Sequence, residues 1–167
     1  QAPPIEFAAC VGLVQLGRAQ KGTLSAAARW VLVPVAGCLR FAHVQRSSLR
    51  AIGSGFIWAY CSRGKRRTQG VQKGFHWCLP LQFTDQQLIS GGLMEDHEKL
   101  CRAAGREVGF IVPKLATGAD GLRPDTAWEA TPMTYGQFVS LLRALLVFMG
   151  WTPEQTRRFT TYSLRRF

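Results

Sequence analysis

Three cations sit where the chain interrupts its own regularity. Arg40 follows Gly37 in the stretch AGCLRFAHVQRSSL, Ala36 to Leu49. Leu39, Phe41 and Val44 form an apolar side of this short turn, with Arg40 and His43 on another. An arginine in apolar surroundings must snorkel to water or meet an anion, because an unpaired buried charge is costly. Lys65 stands at the end of a strand-like run, and Arg165 in the first turn of the last helical stretch. Two guanidinium groups and one ammonium suit a phosphate. Each guanidinium fork can grip non-bridging oxygens with two hydrogen bonds. Such donors hold the added charge of a five-coordinate transition state more tightly than the ground state. A lysine can also give a proton to a departing alkoxide.

Composition narrows the partner. The 167 residues suffice for one domain with a sizeable core, and a 47% hydrophobic content excludes gross disorder. Lys and Arg number 21 against 10 Asp and Glu, a net charge of +11, which favours a polyanion such as nucleic acid over a merely soluble surface. The five cysteines, Cys10, Cys38, Cys61, Cys78 and Cys101, form no C-x-x-C pair, and His43, His76 and His97 are scattered. No metal site is expected, and the thiols read as reduced and mostly buried in an intracellular protein. No apolar run is long enough to cross a membrane, and no secretory signal is visible.

The elements that must position the cations follow in order. Ile5 to Leu16 reads as a helix interrupted by Gly22, and Thr23 or Ser25 can cap the next, Ala26 to Ala36. Pro34 and Gly37 end or kink it. Phe56, Trp58 and Tyr60 alternate with their neighbours, as do Phe75, Trp77, Leu79 and Leu81, so both runs read as strands of a hairpin. Its long loop carries Arg63, Lys65, Arg66, Arg67 and Lys73 with no acid among them, which suits phosphates. Thr84 to Ala104 reads as two helical pieces, Gly109 to Val112 as an extended piece stopped by Pro113, and Lys114 to Ala130 as a loop. Thr134 and Gln137 form a capping box that opens a central helix to Met149. Thr152-Pro153-Glu154-Gln155 opens a short one, and a last helix starts at Tyr162. Trp30, Trp58, Trp77, Phe138 and Phe148 read as core rather than base-stacking residues.

From about Ala26 to Phe167 the chain resembles the catalytic domain of the tyrosine recombinases, the phage-integrase family. Gly37-Cys38-Leu39-Arg40, continued by Val44 and Leu49, resembles the family's first arginine box. The Lys65 hairpin resembles the one that bears its catalytic lysine, and Phe110-Ile111-Val112-Pro113 its Leu-Phe-Pro segment. Tyr162-Ser163-Leu164-Arg165 resembles its His-x-Leu-Arg box. The resemblance implies an α+β, mostly helical catalytic-domain fold with a small antiparallel sheet, as a single domain over 1–167. It implies double-stranded DNA as partner and strand transesterification through a 3′-phosphotyrosyl link, in DNA recombination or integration by a mobile element. Arg40 and Arg165 would clamp the scissile phosphate, aided by Tyr162. Lys65, with Lys73 as runner-up, would be the general acid. Arg63, Arg66, Arg67, Lys73, His43 and Arg166 would contact DNA. No metal or nucleotide cofactor is implied. A tetrameric homo-oligomer is, with a nuclear location in a eukaryote and a cytoplasmic one otherwise.

The chain departs from that pattern in three ways. His43 replaces an acidic residue of the first box, and Tyr162 replaces the histidine of the second. A phenol that titrates near pH 10 is a poor proton shuttle at neutral pH. The family's nucleophilic tyrosine would fall after Phe167, so the chain reads as a fragment that also lacks the DNA-clamping domain preceding the catalytic one. Two rivals follow: a relic that binds DNA without cutting it, and an unrelated basic nucleic-acid-binding domain. Taken singly, Arg40 could be a structural arginine, and Arg165 a solvated one with Arg166 beside it the contact.

Overall fold

The structure, a computed structural model, describes residues 2–53, 56–64, 67–68, 71–80, 110–118 and 121–165. The expected helical pieces between Thr84 and Ala104, and Cys101, lie outside the described residues. The architecture is α+β, with helices and small antiparallel sheets. One hydrophobic cluster runs from Ile5 to Leu164.

Two antiparallel-packed apolar sequences begin the chain. Helix α1, Phe7–Ala19, buries Leu13, Leu16 and Gly17 against α2, Gly22–Ala36, which is buried over nearly its whole length. Gly22 does not interrupt a helix but starts α2, at φ +56. A Cβ there would collide with the Pro124 carbonyl oxygen, so only glycine lets the two segments meet. Thr23 and Ser25 are not caps. The Thr23 hydroxyl donates to Thr126 O at 2.6 Å and accepts from Trp128 Nε1 at 2.7 Å, while the Ser25 hydroxyl donates to Gly17 O at 2.6 Å. Tertiary partners outcompete the local cap for these hydroxyls.

The end of α2 sets up Arg40. Gly37 is its C-cap at φ −92, and Cys38 takes the left-handed conformation at φ 48. Leu39 N donates to Pro34 O at 3.0 Å and Cys38 N to Val35 O at 3.3 Å. This is the Schellman pattern, with cysteine where glycine is usual. Gly37 serves close approach instead: a Cβ there would lie 2.8 Å from Leu39 Cγ and 3.0 Å from Leu79 Cδ2. The chain then turns into α3, Phe41–Gln45.

Strands β1 (Ser47–Gly53), β2 (Phe56–Cys61) and β5 (Phe75–Pro80) form an antiparallel sheet in the order β1-β2-β5, with an irregularity between Leu49 and Ala51. The expected hairpin is present. Its connection contains a further two-residue ladder, β3 (Arg67–Thr68) on β4 (Val71–Gln72). The inner sheet face places Ala59, Cys61, Trp77 and Leu79 in the core. Ser47, fully buried, accepts from Trp77 Nε1 at 2.8 Å and donates to His43 O at 2.7 Å, so it ties the sheet to α3.

Several expectations are corrected by the structure. Pro113 begins a strand instead of stopping one: β6, Pro113–Leu115, pairs with β7, Trp128–Pro132, inside the segment expected as loop. Proline is tolerated at a strand's first residue. The loop shrinks to 116–127, and its return is fixed by Trp128, which meets Trp30 edge-on at 5.2 Å. Trp58 and Phe148 are not core residues: they are 46% and 59% exposed, whereas Trp30, Trp77 and Phe138 are buried. Nor are the thiols mostly buried: of the four described, all free, Cys38 and Cys78 are exposed.

Helix α4, Tyr135–Phe148, opens with the expected capping box. Phe138, Leu141, Leu142, Leu145 and Leu146 bury its inner face, and Gly150 at φ +95 turns the chain after it. Its exposed positions include polar Ser140 but also the large apolar side chains of Val147 and Phe148. Helix α5, Pro153–Arg157, repeats the capping box at Thr152 and Gln155. Helix α6, Thr161–Arg165, is anchored by buried Leu164 and by Ile5 N donating to Ser163 O at 3.0 Å.

Candidate phosphate-binding site

Arg40 occupies the N-cap position of α3, with extended backbone and no side-chain cap bond. Its carbonyl accepts from His43 N at 2.8 Å and Val44 N at 3.2 Å, so the backbone is fixed while the guanidinium is left to other work. The apolar side of α3 holds it in place. Phe41 and Val44 are buried, and Phe41 packs on Phe138 with ring centroids 4.4 Å apart. Gln45 Nε2 donates to Met133 O at 3.0 Å. Arg40 is therefore mounted on a short, well-seated turn.

Helix α6 reaches the same place from late in the chain. Arg143 on α4 donates to Arg157 O at 2.7 Å and to Phe159 O at 3.2 Å, which satisfies carbonyls at the end of α5 and just beyond it. Phe159 is fully buried against Trp151, with centroids 5.6 Å apart. Thr160 then caps α6: its hydroxyl accepts from Tyr162 N at 3.2 Å, and its N–H donates to Ser163 Oγ at 3.2 Å.

Arg40, Phe41, Gln45, Tyr135, Thr161 and Tyr162 line one cavity of about 280 Å³. The openings of three helices border it: Arg40 and Phe41 of α3, Tyr135 of α4, and Thr161 and Tyr162 of α6. Tyr162 is 63% exposed and Tyr135 48%, so both phenols are within reach of solvent. The fourteen-residue α4 presents the positive end of its dipole here, beside a guanidinium. The short α3 and α6 contribute placement. Arg40 is the one cation among the described residues lining the cavity.

The other candidates are distributed differently. Arg165 ends α6, one turn beyond Thr161 and Tyr162, and its side chain lies outside the described residues. Lys65, Arg66 and Arg166 lie outside them too, as does the side chain of Arg67 in β3. Arg63 and Lys73 are exposed where the β2–β5 connection leaves the sheet, and neither lines the cavity. His43 does not line it either; its ring packs edge-on against Phe75 at 5.1 Å. Tyr135 and Gln45 were not singled out by sequence. The capping box accounts for the helix start at Tyr135 but carries no signal that its side chain lines a cavity.

Among the described residues no group of three or more His, Cys, Asp or Glu could hold a metal, and no helix is long and apolar enough to cross a membrane. No family model, curated protein or solved structure matches the chain.

Proposed function

We propose that this chain binds DNA and that the cavity between Arg40 and Tyr162 receives a backbone phosphate, in the manner of a tyrosine-recombinase catalytic domain. The observation that supports the reading is that Arg40 and Tyr162 line one cavity. Arg40 would grip non-bridging oxygens, the Tyr162 hydroxyl would donate to one, and Arg165 would add a second guanidinium. Lys65 would protonate the departing 5′ oxygen as a tyrosine oxygen bonds to phosphorus. The net charge of +11 supports the polyanionic partner. A tetrameric synapse, and a location wherever chromosomal DNA lies, belong to the same proposal.

A second reading is binding without cleavage, favoured by Tyr162 where the family has histidine. One experiment addresses both. The parent protein, whose nucleophilic tyrosine would follow Phe167, is incubated with nicked duplex DNA, once under native conditions and once denatured in detergent. A detergent-resistant adduct supports strand transfer. Salt-sensitive binding with no adduct supports the second reading. Duplex affinity unchanged by Arg40→Ala removes both.

A further inference from the structure

The outer face of the three-stranded sheet carries a row of aromatic side chains. Phe56, Trp58 and Tyr60 alternate along β2, so they share one face and are spaced about 6.6–6.8 Å apart. Phe56 is 42% and Trp58 46% exposed. Large aromatics left this open on a sheet are normally covered by something.

The register shows why Trp58 is open. Its partner on β5 is Cys78 and its partner on β1 is Ala51. Phe56 lies between Pro80 and Gly53. The neighbours on β1 are too small to cover either ring. At the other end of the row Tyr60 packs on His76, its ring centroid 4.9 Å away, and a Cβ at Gly74 would collide with the Tyr60 hydroxyl. The row is thus walled at one end and open along its length.

Cations gather at the walled end. Arg46 precedes β1, Arg63 follows β2 and Lys73 precedes β5, and all three are exposed. Backbone bonds hold them together: Ser62 N donates to Arg46 O at 3.1 Å, and Gly64 N to Lys73 O at 2.9 Å. Sequence-distant positive charges therefore meet at one edge of an aromatic platform.

We propose that this face stacks the unpaired bases of single-stranded DNA, with Trp58 as the central platform and Arg46, Arg63 and Lys73 drawing in the phosphates. Aromatic rings beside a cationic rim are the general solution for a strand whose bases are exposed, since every base offers a face to stack. A duplex has no free base faces to offer, so this surface reads a different DNA state from the Arg40 cavity. The inference takes from the proposed function only that DNA is the partner.

The test is fluorescence anisotropy of a short dye-labelled oligo-thymidylate, with a duplex of equal length alongside. Trp58→Ala is expected to weaken single-strand binding about 5- to 100-fold and to leave duplex affinity within about twofold. Trp58→Phe, which keeps a ring, retains most of the affinity. Bound oligo-thymidylate should also slow maleimide labelling of Cys78, which lies across from Trp58, as read by peptide mass spectrometry. Unchanged oligo-thymidylate affinity in Trp58→Ala, or labelling of Cys78 at the same rate with the strand bound, overturns the proposal. So does tighter binding of oligo-uridylate through Trp58, which would make this an RNA face. Failure of Arg40→Ala to affect duplex binding would remove the phosphate reading and leave this one standing.

Discussion

Arg40 and Tyr162 line the same cavity although they stand 122 positions apart in the sequence. Neither is brought there by its own polar contacts. Arg40 is carried by Phe41 packing on Phe138, and Tyr162 by the buried Leu164 and by Arg143 holding the carbonyls before α6. Apolar burial and helix-end hydrogen bonds fix the site, so its polar tips remain available.

It follows that Arg40→Ala separates binding from stability. The side chain makes no cap bond and is only half-buried, so the unfolding free energy should change by less than about 0.5 kcal/mol. Losing one charge-assisted contact to phosphate costs about 1.5–3 kcal/mol, or roughly a 10- to 150-fold weaker duplex affinity. Urea unfolding and a duplex titration at one fixed salt concentration measure the two quantities. A large loss of stability would make Arg40 a structural arginine.

Cys38 is a second point where local strain should respond to substitution. Its left-handed backbone costs a non-glycine residue about 1–2 kcal/mol, partly offset in Cys38→Gly by the greater freedom of glycine in the unfolded chain. The net gain should be about 0.5–1 kcal/mol, or a rise in melting temperature of about 1–4 °C. Cys38→Val should lower it, because a β-branched side chain fits φ 48 poorly. Thermal unfolding followed by circular dichroism decides, and equal melting temperatures for the glycine and valine forms would refute the strain account.

Features encoded locally were legible in the sequence. The caps at Thr134 and Thr152 each need only residues three positions apart, and both form. The helix end just before Arg40 was legible because Pro34 and Gly37 mark it, and α2 ends at Ala36. The pairing of β6 with β7 was not, since three residues show no period and their partner lies beyond a loop. The face of β2 was illegible for a different reason. In Phe-Ile-Trp-Ala-Tyr-Cys every position is apolar, so alternation cannot say which set faces water. The register with β1 and β5 settles it, putting Ala59 and Cys61 inside and Trp58 outside.

Arg29 should prove more important to stability than any of the candidate site cations. It is 8% exposed, and its guanidinium donates to Gly17 O at 2.8 Å and to Ser25 Oγ at 3.2 Å. Gly17 lies near the end of α1, where carbonyls lack helical partners and a positive charge is favoured. Arg29→Met keeps most of the volume but leaves these acceptors under-satisfied, at a cost of about 1–3 kcal/mol. Arg29→Ala adds a cavity and should cost more. Chemical denaturation of both variants tests the order, and equal stability of Arg29→Met and the parent chain would show that the contact contributes packing alone.

Stability should also fall at alkaline pH through Cys10. Burial pushes its thiol from 9.0 up to about 12, because the thiolate would lose hydration on the buried side of α1. In the unfolded chain the thiol ionises near its ordinary value, so unfolding between pH 9 and 12 releases a proton. The stabilising contribution is whole below pH 9 and is lost as the pH rises through that window, by at most about 1.4 kcal/mol per unit. Cys10→Ala should flatten this part of the profile while lowering stability slightly at pH 7 through lost packing. A companion measurement is thiol labelling at pH 8, where Cys38 and Cys78 should react promptly, and Cys10 and Cys61 only as the chain opens. Prompt reaction of Cys10 in the folded protein, or an alkaline slope unchanged in Cys10→Ala, would show that this thiol is not shielded by the packing of α1.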